Sequence, residues 1–309
     1  MDGMSPTGAS PVLRSLLAAG LFFENGADGM YGRSGAFESV ALAVEALARR
    51  VAAADGAEVM RFPPALPPAT FERTGYLRNF PHLAGVVRCF CGDERAHRDL
   101  LRRCDAGEDW PASLDGTAMM LTPAACYPVY PVLARRGAVP EAGWLVDVCG
   151  TCFRHEPSRD ATRLQWFRMQ EFIRVGTEAQ VLEFRAQWMA RAQALARTLR
   201  LPHAVEVAND PFFGRVGALR ADAQREQELK FELLVPINPD APPTACASFN
   251  FHGAHFGQNW GLLLDADRPA STSCVGFGLE RLAVALFHHH GTDAAAWPDE
   301  VRDALWPAR

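Results

Sequence analysis

Residues 144–175 constrain the fold of this chain more than any other stretch. Trp144 to Glu156 (WLVDVCGTCFRHE) predicts a strand, Pro157 to Arg163 (PSRDATR) a polar turn, and Leu164 to Val175 (LQWFRMQEFIRV) a second strand. The two strands form a long antiparallel hairpin. Further strands are predicted at Leu229–Ile237, Thr244–His252, Asn259–Leu264 and Ser273–Phe277. The last passes through Gly278 into a helix, Leu279–His288. Apolar residues at helical spacing predict helices over Ala36–Ala54 (Phe37, Val40, Val44, Leu47, Val51) and Glu178–Leu199 (Val181, Phe184, Trp188, Leu195, Leu199). Glu94–Cys104 reads as a short arginine-rich helix. Asn209–Glu226 reads as another, behind an Asp-Pro cap signal. Antiparallel strands with helices outside the run give an α+β fold rather than an alternating parallel one.

At roughly 150 residues per domain, 309 residues suffice for about two domains. With 49% hydrophobic and 22% charged residues the chain can bury a core unaided, which excludes disorder and disulfide mini-proteins. A net charge of −5 gives no general attraction to nucleic acid or anionic membrane. Eight cysteines are too sparse for a disulfide framework, and no basic stretch opens the chain at Met1-Asp2-Gly3-Met4. No run of 18 apolar residues offers a membrane span. The expectation is a cytoplasmic protein in a reducing compartment.

Three groups of residues could carry chemistry. Arg154 and Glu156 close the first hairpin strand, and a period of two puts them on one face with Cys152 and Gly150. By themselves they read as a cross-sheet ion pair. Arg159, Asp160 and Arg163 follow, giving three arginines within ten residues, and arginine's planar fork suits carboxylate and phosphate. The corner Gly276-Phe277-Gly278-Leu279-Glu280-Arg281 lacks the third glycine and the alternating surroundings of a dinucleotide loop. It puts Arg281 in the first turn of a helix, beside glycines that let a nucleotide or another backbone approach. The plainer alternative is a packing corner with an exposed arginine. Cys149-x-x-Cys152 fails as a metal pair, because an odd separation points the two thiols to opposite faces and no second such pair exists. His288-His289-His290 reads as a solvated helix end favoured by the dipole, not a metal site.

Phe153-Arg154-x-Glu156, a loop and a strand resemble motif 2 of class II aminoacyl-tRNA synthetases, and Gly276-x-Gly278-x-Glu280-Arg281 resembles their motif 3. The fuller string CGTCFRHEPSRDATRLQWFRMQEFIRVGT, with LTPAACYPVYP before it and KFELLVPI and PTACASFNFHGAHFG after it, is similar to the amino acid:[carrier protein] ligases. These are short relatives of the atypical, zinc-containing seryl-tRNA synthetases of methanogens. The resemblance covers roughly residues 110 to 290. It implies a class II synthetase-like antiparallel β-sheet flanked by helices over residues 110–309. A mixed helical N-terminal extension, 1–109, would pack on it, in a homodimer.

The resemblance also implies a zinc ion held by Cys126 (in PAACYP), Glu171 (in FRMQEF) and Cys274 (in STSCVGFG), with the substrate's α-amino group at the fourth position. No spacing rule finds that set. Read alone, the cysteines are small buried hydrophobes and Glu171 a strand-edge charge. The implied reaction forms an aminoacyl adenylate from an amino acid and ATP, then moves the aminoacyl group to the phosphopantetheine thiol of a carrier protein. Arg154 would bridge the substrate carboxylate and the α-phosphate. Glu156 would position adenine or Arg154. Arg163 and Leu164 would meet the nucleotide, Arg281 would clamp the γ-phosphate, and Lys230 is a weaker nucleotide contact. Mg²⁺ would accompany the phosphates. The small residues Ala245, Cys246 and Ala247 would line the amino-acid pocket, with Ala245 and Ala247 on one face, which points to glycine or alanine; tight sheet packing is the alternative. Arg215 and Arg220, on the helix after Asn209, would meet an acidic carrier protein. Two rival readings stand beside this one: a seryl-tRNA-synthetase-like enzyme that charges tRNA, and an inactive paralogue kept as a binding subunit. Residues 1–110 show neither coiled-coil heptads nor a basic domain, so no tRNA partner is expected. Arg154, Glu156 and Arg281 are all present, which speaks against an inactive paralogue.

Overall fold

The computed structural model describes residues 8–210 and 228–308. The predicted hairpin lies within a seven-stranded sheet. In chain order its strands are β1 (Glu58–Met60), β2 (Trp144–Phe153), β3 (Trp166–Gly176), β4 (Ala204–Val207), β5 (Lys230–Val235), β6 (Thr244–Gly253) and β7 (Ser271–Gly278). Their spatial order is β1-β2-β3-β7-β6-β5-β4. β1 runs parallel to β2, and every other neighbouring pair is antiparallel.

The central strands are buried on both faces, so their sequences read as nearly continuous apolar runs. Along β3, Phe172 enters one core and Ile173 the other. Along β7, Val275 and Phe277 enter the first and Cys274 the second. The first core is covered by three long helices: α1 (Gly35–Ala52), α2 (Glu178–Thr198) and α3 (Leu279–His290). Ser34 caps α1, and Thr177 with Gln180 forms a complete capping box at α2. Trp188 of α2 stacks on Phe172 at 4.5 Å and meets Phe277 edge-on at 5.7 Å. Trp188→Ala is expected to destabilise the fold by about 3–5 kcal/mol, read as a lower urea midpoint with an unchanged slope.

The second face is covered more thinly, by the short helices Val129–Ala134 and His255–Trp260. A small three-stranded sheet (Ala65–Leu66, Val86–Cys89, Asp115–Leu121) lies beside them, and its core of Phe71, Tyr76 and Leu83 packs against Tyr127. The space left between these pieces is the site described below. The N-terminal residues belong to the same body: α1 shares a core with α3, and β1 extends the main sheet.

Two predicted elements differ. Asn259–Leu264 is not a strand: His255–Trp260 is helical, burying Phe256 and Trp260 one turn apart, and Gly261 ends it at φ 66°. β2 ends at Phe153 rather than Glu156. The Arg154 N–H still donates to Gln165 O at 3.0 Å, but the chain then turns, and the Glu156 N–H donates back to Arg154 O at 2.8 Å. The three histidines end α3 as expected of a helix terminus, with His289 and His290 each bonded through Nε2 to a backbone oxygen, of Pro236 and Leu199, at 2.8 Å. Among the described residues no helix is long and apolar enough to cross a membrane.

Candidate active site

A cavity of about 260 Å³ opens on the thinly covered face of the sheet. Its wall includes Cys126, Arg154, Glu156, Glu171, Cys274 and Arg281, residues from five separate segments. Glu171 stands on β3 opposite Gly276 of β7, and Cys274 lies two residues along β7 on the same face. Cys126 reaches them from the turn before the Val129–Ala134 helix. One ligand atom from each of the three lies within 4.8 Å of the others, and all three residues are buried. Gly276 leaves room at the floor: a Cβ there would lie 3.4 Å from Glu171 Cγ and 3.6 Å from Ser248 Oγ.

The electrostatics of this triad are those of three acids crowded together. Glu171 Oε1 accepts from the N–H groups of Ala125 at 2.8 Å and Cys126 at 3.2 Å, which fixes the turn that carries Cys126. Burial, then the neighbouring Cys274 sulfur, pushes the Glu171 carboxyl up to about 8. Cys274 is held well below the usual thiol range, chiefly because the Cys126 thiol donates to its sulfur; His252 and Asn250 add to this, against burial. Cys126, the donor, is raised well above that range by the same bond and by burial. One cation among the three would relieve all of these conflicts, and the donor set suits a metal ion.

Arg154 and Arg281 face the same cavity. Arg154 Nε donates to Pro123 O at 3.2 Å, and the guanidinium lies 5.5 Å from the Phe167 ring centre. Arg281 Nε donates to Thr162 O at 2.8 Å and Nη1 to Ala245 O at 3.0 Å. Both are anchored by backbone carbonyls, and neither has a carboxylate within ion-pair distance among the described residues. Burial, with the nearby Arg154 charge, pulls Arg281 below the usual guanidinium range. Glu280, beside Arg281, is committed elsewhere. Its carboxylate accepts from Arg33 Nη1 at 2.9 Å, Arg168 Nε at 2.8 Å and the Arg168 N–H at 2.7 Å. Glu38 pairs with the same two arginines, closing a four-residue network.

Other expected site residues are placed differently. Lys230 lines the cavity and is buried, with its Nζ 2.5 Å from Asp210 and 2.9 Å from Glu232, so its charge is already matched. Ala245, Cys246 and Ala247 all line the cavity, and Cys246 and Ala247 also pack into the helix-side core. Leu233 of β5 pairs with Ala247 and Leu234 with Ala245, so Cys246 is an extra residue on β6 that breaks its alternation. Ser248 lies opposite Gly276, which in turn pairs with Glu171, so Ser248 shares the face of Glu171 and Cys274. Ala245 contributes its carbonyl to Arg281. Arg163 is exposed and sits 3.8 Å from Glu156, while Leu164 is buried in the cavity wall. Arg215 and Arg220 lie outside the described residues. Sequence reasoning passed over Asn250, His252 and Tyr76, which also line the cavity. Asn250 is the cross-strand partner of Cys274, a pairing that only the register of β6 with β7 reveals.

No protein-family model matches the chain. It is 50% identical over 291 residues, 94% of this chain and 88% of the relative, to amino acid–[acyl-carrier-protein] ligase 1 of Bradyrhizobium diazoefficiens. Ligase 2 of that organism is also 50% identical, over 94% of this chain and 86% of the relative. A type-2 serine–tRNA ligase of Methanopyrus kandleri is 26% identical over 84% of this chain, which spans 53% of that relative. Among solved structures, the M. kandleri seryl-tRNA synthetase in complex with A. aeolicus tRNASec matches with a TM-score of 0.80 at 22% identity, covering 99% of this chain and 62% of that one. The Pyrococcus horikoshii seryl-tRNA synthetase complexed with ATP matches at 0.64 and 14% identity, covering 96% and 60%. Those two likenesses show the α+β class II synthetase fold. The half-identity over nearly the whole length shows more: the chain belongs to the amino acid–[acyl-carrier-protein] ligases and is an enzyme of the ligase class.

Proposed function

We propose that this chain uses ATP to activate glycine or alanine as an aminoacyl adenylate and then transfers the aminoacyl group to the phosphopantetheine thiol of a carrier protein. The observation that carries this is the pair of half-buried, carbonyl-anchored arginines, without carboxylate partners among the described residues, in the same cavity as a two-sulfur, one-carboxylate triad. Unmatched positive charge in an enclosed site calls for an anion, and ATP with a substrate carboxylate supplies one.

In the first step a substrate carboxylate oxygen bonds to the α-phosphorus, and the bond to pyrophosphate breaks. The nucleophile is already ionised, so the protein's task is alignment and charge neutralisation. Arg154 holds the carboxylate against the α-phosphate. Arg281 meets the γ-phosphate of a bent nucleotide, and Glu156, Arg163 and Leu164 bound the nucleotide from the motif 2 side. Mg²⁺ travels with the phosphates. In the second step the carrier thiol, having lost its proton, bonds to the acyl carbon and AMP leaves. A zinc ion held by Cys126, Glu171 and Cys274 would supply a Lewis-acid contact for the substrate's free amine, selecting amino acids over hydroxy acids. Ser248 and Gly276, both small and beside the triad, favour a short side chain. Arg215 and Arg220 remain the proposed carrier contacts. The reading includes a cytoplasmic homodimer, with residues 110–309 as catalytic unit and 1–109 as its extension.

The test is ATP–pyrophosphate exchange with each of the twenty amino acids, followed by thioester formation on a phosphopantetheinylated carrier. Exchange is expected with glycine or alanine at least tenfold above the rest. Exchange with no amino acid would sink the proposal, and strong serine-dependent exchange with tRNA charging would replace it.

A further inference from the structure

Two polar side chains of β6 lie against the Cys274 sulfur. Asn250 is its cross-strand partner on β6. The Asn250 Nδ2–H donates to the Cys274 sulfur at 3.4 Å and lies 3.3 Å from Ser248 Oγ. His252, two residues further along β6, places Nε2 3.8 Å from the same sulfur and Nδ1 3.1 Å from Thr272 Oγ1. The imidazole meets Phe256 edge-on at 4.9 Å, and Phe256 stacks on Tyr130 at 4.3 Å, so the ring is wedged as well as bonded. Neither residue belongs to the triad of ligand atoms. Cys126 is held differently, through its backbone N–H and the carboxylate of Glu171.

We propose that Asn250 and His252 are positioning residues for the metal site: both donate to the Cys274 sulfur and aim it at Cys126 and Glu171, while Thr272 fixes the histidine ring. This rests on the metal reading given above. In this arrangement Nε2 carries the imidazole proton, and Nδ1 accepts from the Thr272 hydroxyl. Hydrogen bonds to a ligating sulfur fix its orientation and take up part of its charge. Losing such an outer contact typically weakens metal binding about 10- to 100-fold.

The experiment uses the full chain, with Zn²⁺ affinity read by competition against a chromophoric chelator. Asn250→Ala removes one donor. His252→Phe removes the other and keeps the ring contact with Phe256. Each variant is expected to bind one Zn²⁺ per chain about 10- to 100-fold more weakly than wild type. With Co²⁺ in place of zinc, the sulfur-to-metal charge-transfer band should move to longer wavelength, which a merely structural role would not produce. Wild-type affinity and an unmoved band in both variants would overturn the inference and leave the metal reading standing. A wild-type chain that binds no Zn²⁺ would overturn the metal reading itself. Should either variant melt early in its metal-free form, the near-isosteric Thr272→Val carries the test. A shifted band there supports the relay, and an unchanged band with unchanged affinity refutes it.

Discussion

Arg154→Ala is expected to abolish amino-acid-dependent ATP–pyrophosphate exchange, with a loss of at least about 10³-fold. The half-buried side chain is tied to Pro123 O and laid beside the Phe167 ring, so it is pre-aimed rather than recruited. The substitution removes the positive charge that would face both the carboxylate and the α-phosphate. It strands no buried carboxylate, because Arg154 pairs with none among the described residues. Thermal stability should therefore stay close to wild type, which separates a chemical defect from a folding defect. Arg154→Lys should recover little, since one ammonium cannot copy a planar fork bridging two anions. Wild-type exchange in the alanine variant would mean that motif 2 has been misplaced.

Complete removal of metal is the second large effect. Dialysis against a strong chelator should bring exchange down by about 10²-fold or more, and one equivalent of Zn²⁺ per chain should restore it. Cys126→Ser and Cys274→Ser should each copy the loss, and added zinc should not rescue them. The metal-free chain should also melt at a lower temperature, because an ion that binds only the folded triad stabilises it by mass action. Equal exchange after proven metal depletion would remove the role given to these three side chains.

Much of this was legible before any coordinates. The hairpin and the helices α1, α2 and α3 show strong periodicity over ten or more residues, and each formed within a few residues of its predicted bounds. The failure at 259–264 has a simple cause. A six-residue helix with two buried aromatics one turn apart carries too little pattern to be told from a short strand. The arginines could be read because each sits in a distinctive local string. The triad could not be read from spacing, since its members stand on three remote segments and meet only through the register of β3 with β7 and the turn before Val129. That Cys246 and Ala247 both pack into the helix-side core was not legible, because the extra residue at Cys246 shows only in the pairing of β6 with β5. The pairing of Lys230 was not legible, because neither Asp210 nor Glu232 announces itself as a partner.

The scattering of Cys126, Glu171 and Cys274 along the chain has a consequence for biogenesis. On the metal reading, a nascent polypeptide could not hold the ion with all three donors until Cys274 has been made and β7 has paired with β3. A preparation with full secondary structure but substoichiometric zinc would then contain chains whose central sheet had closed without its passenger.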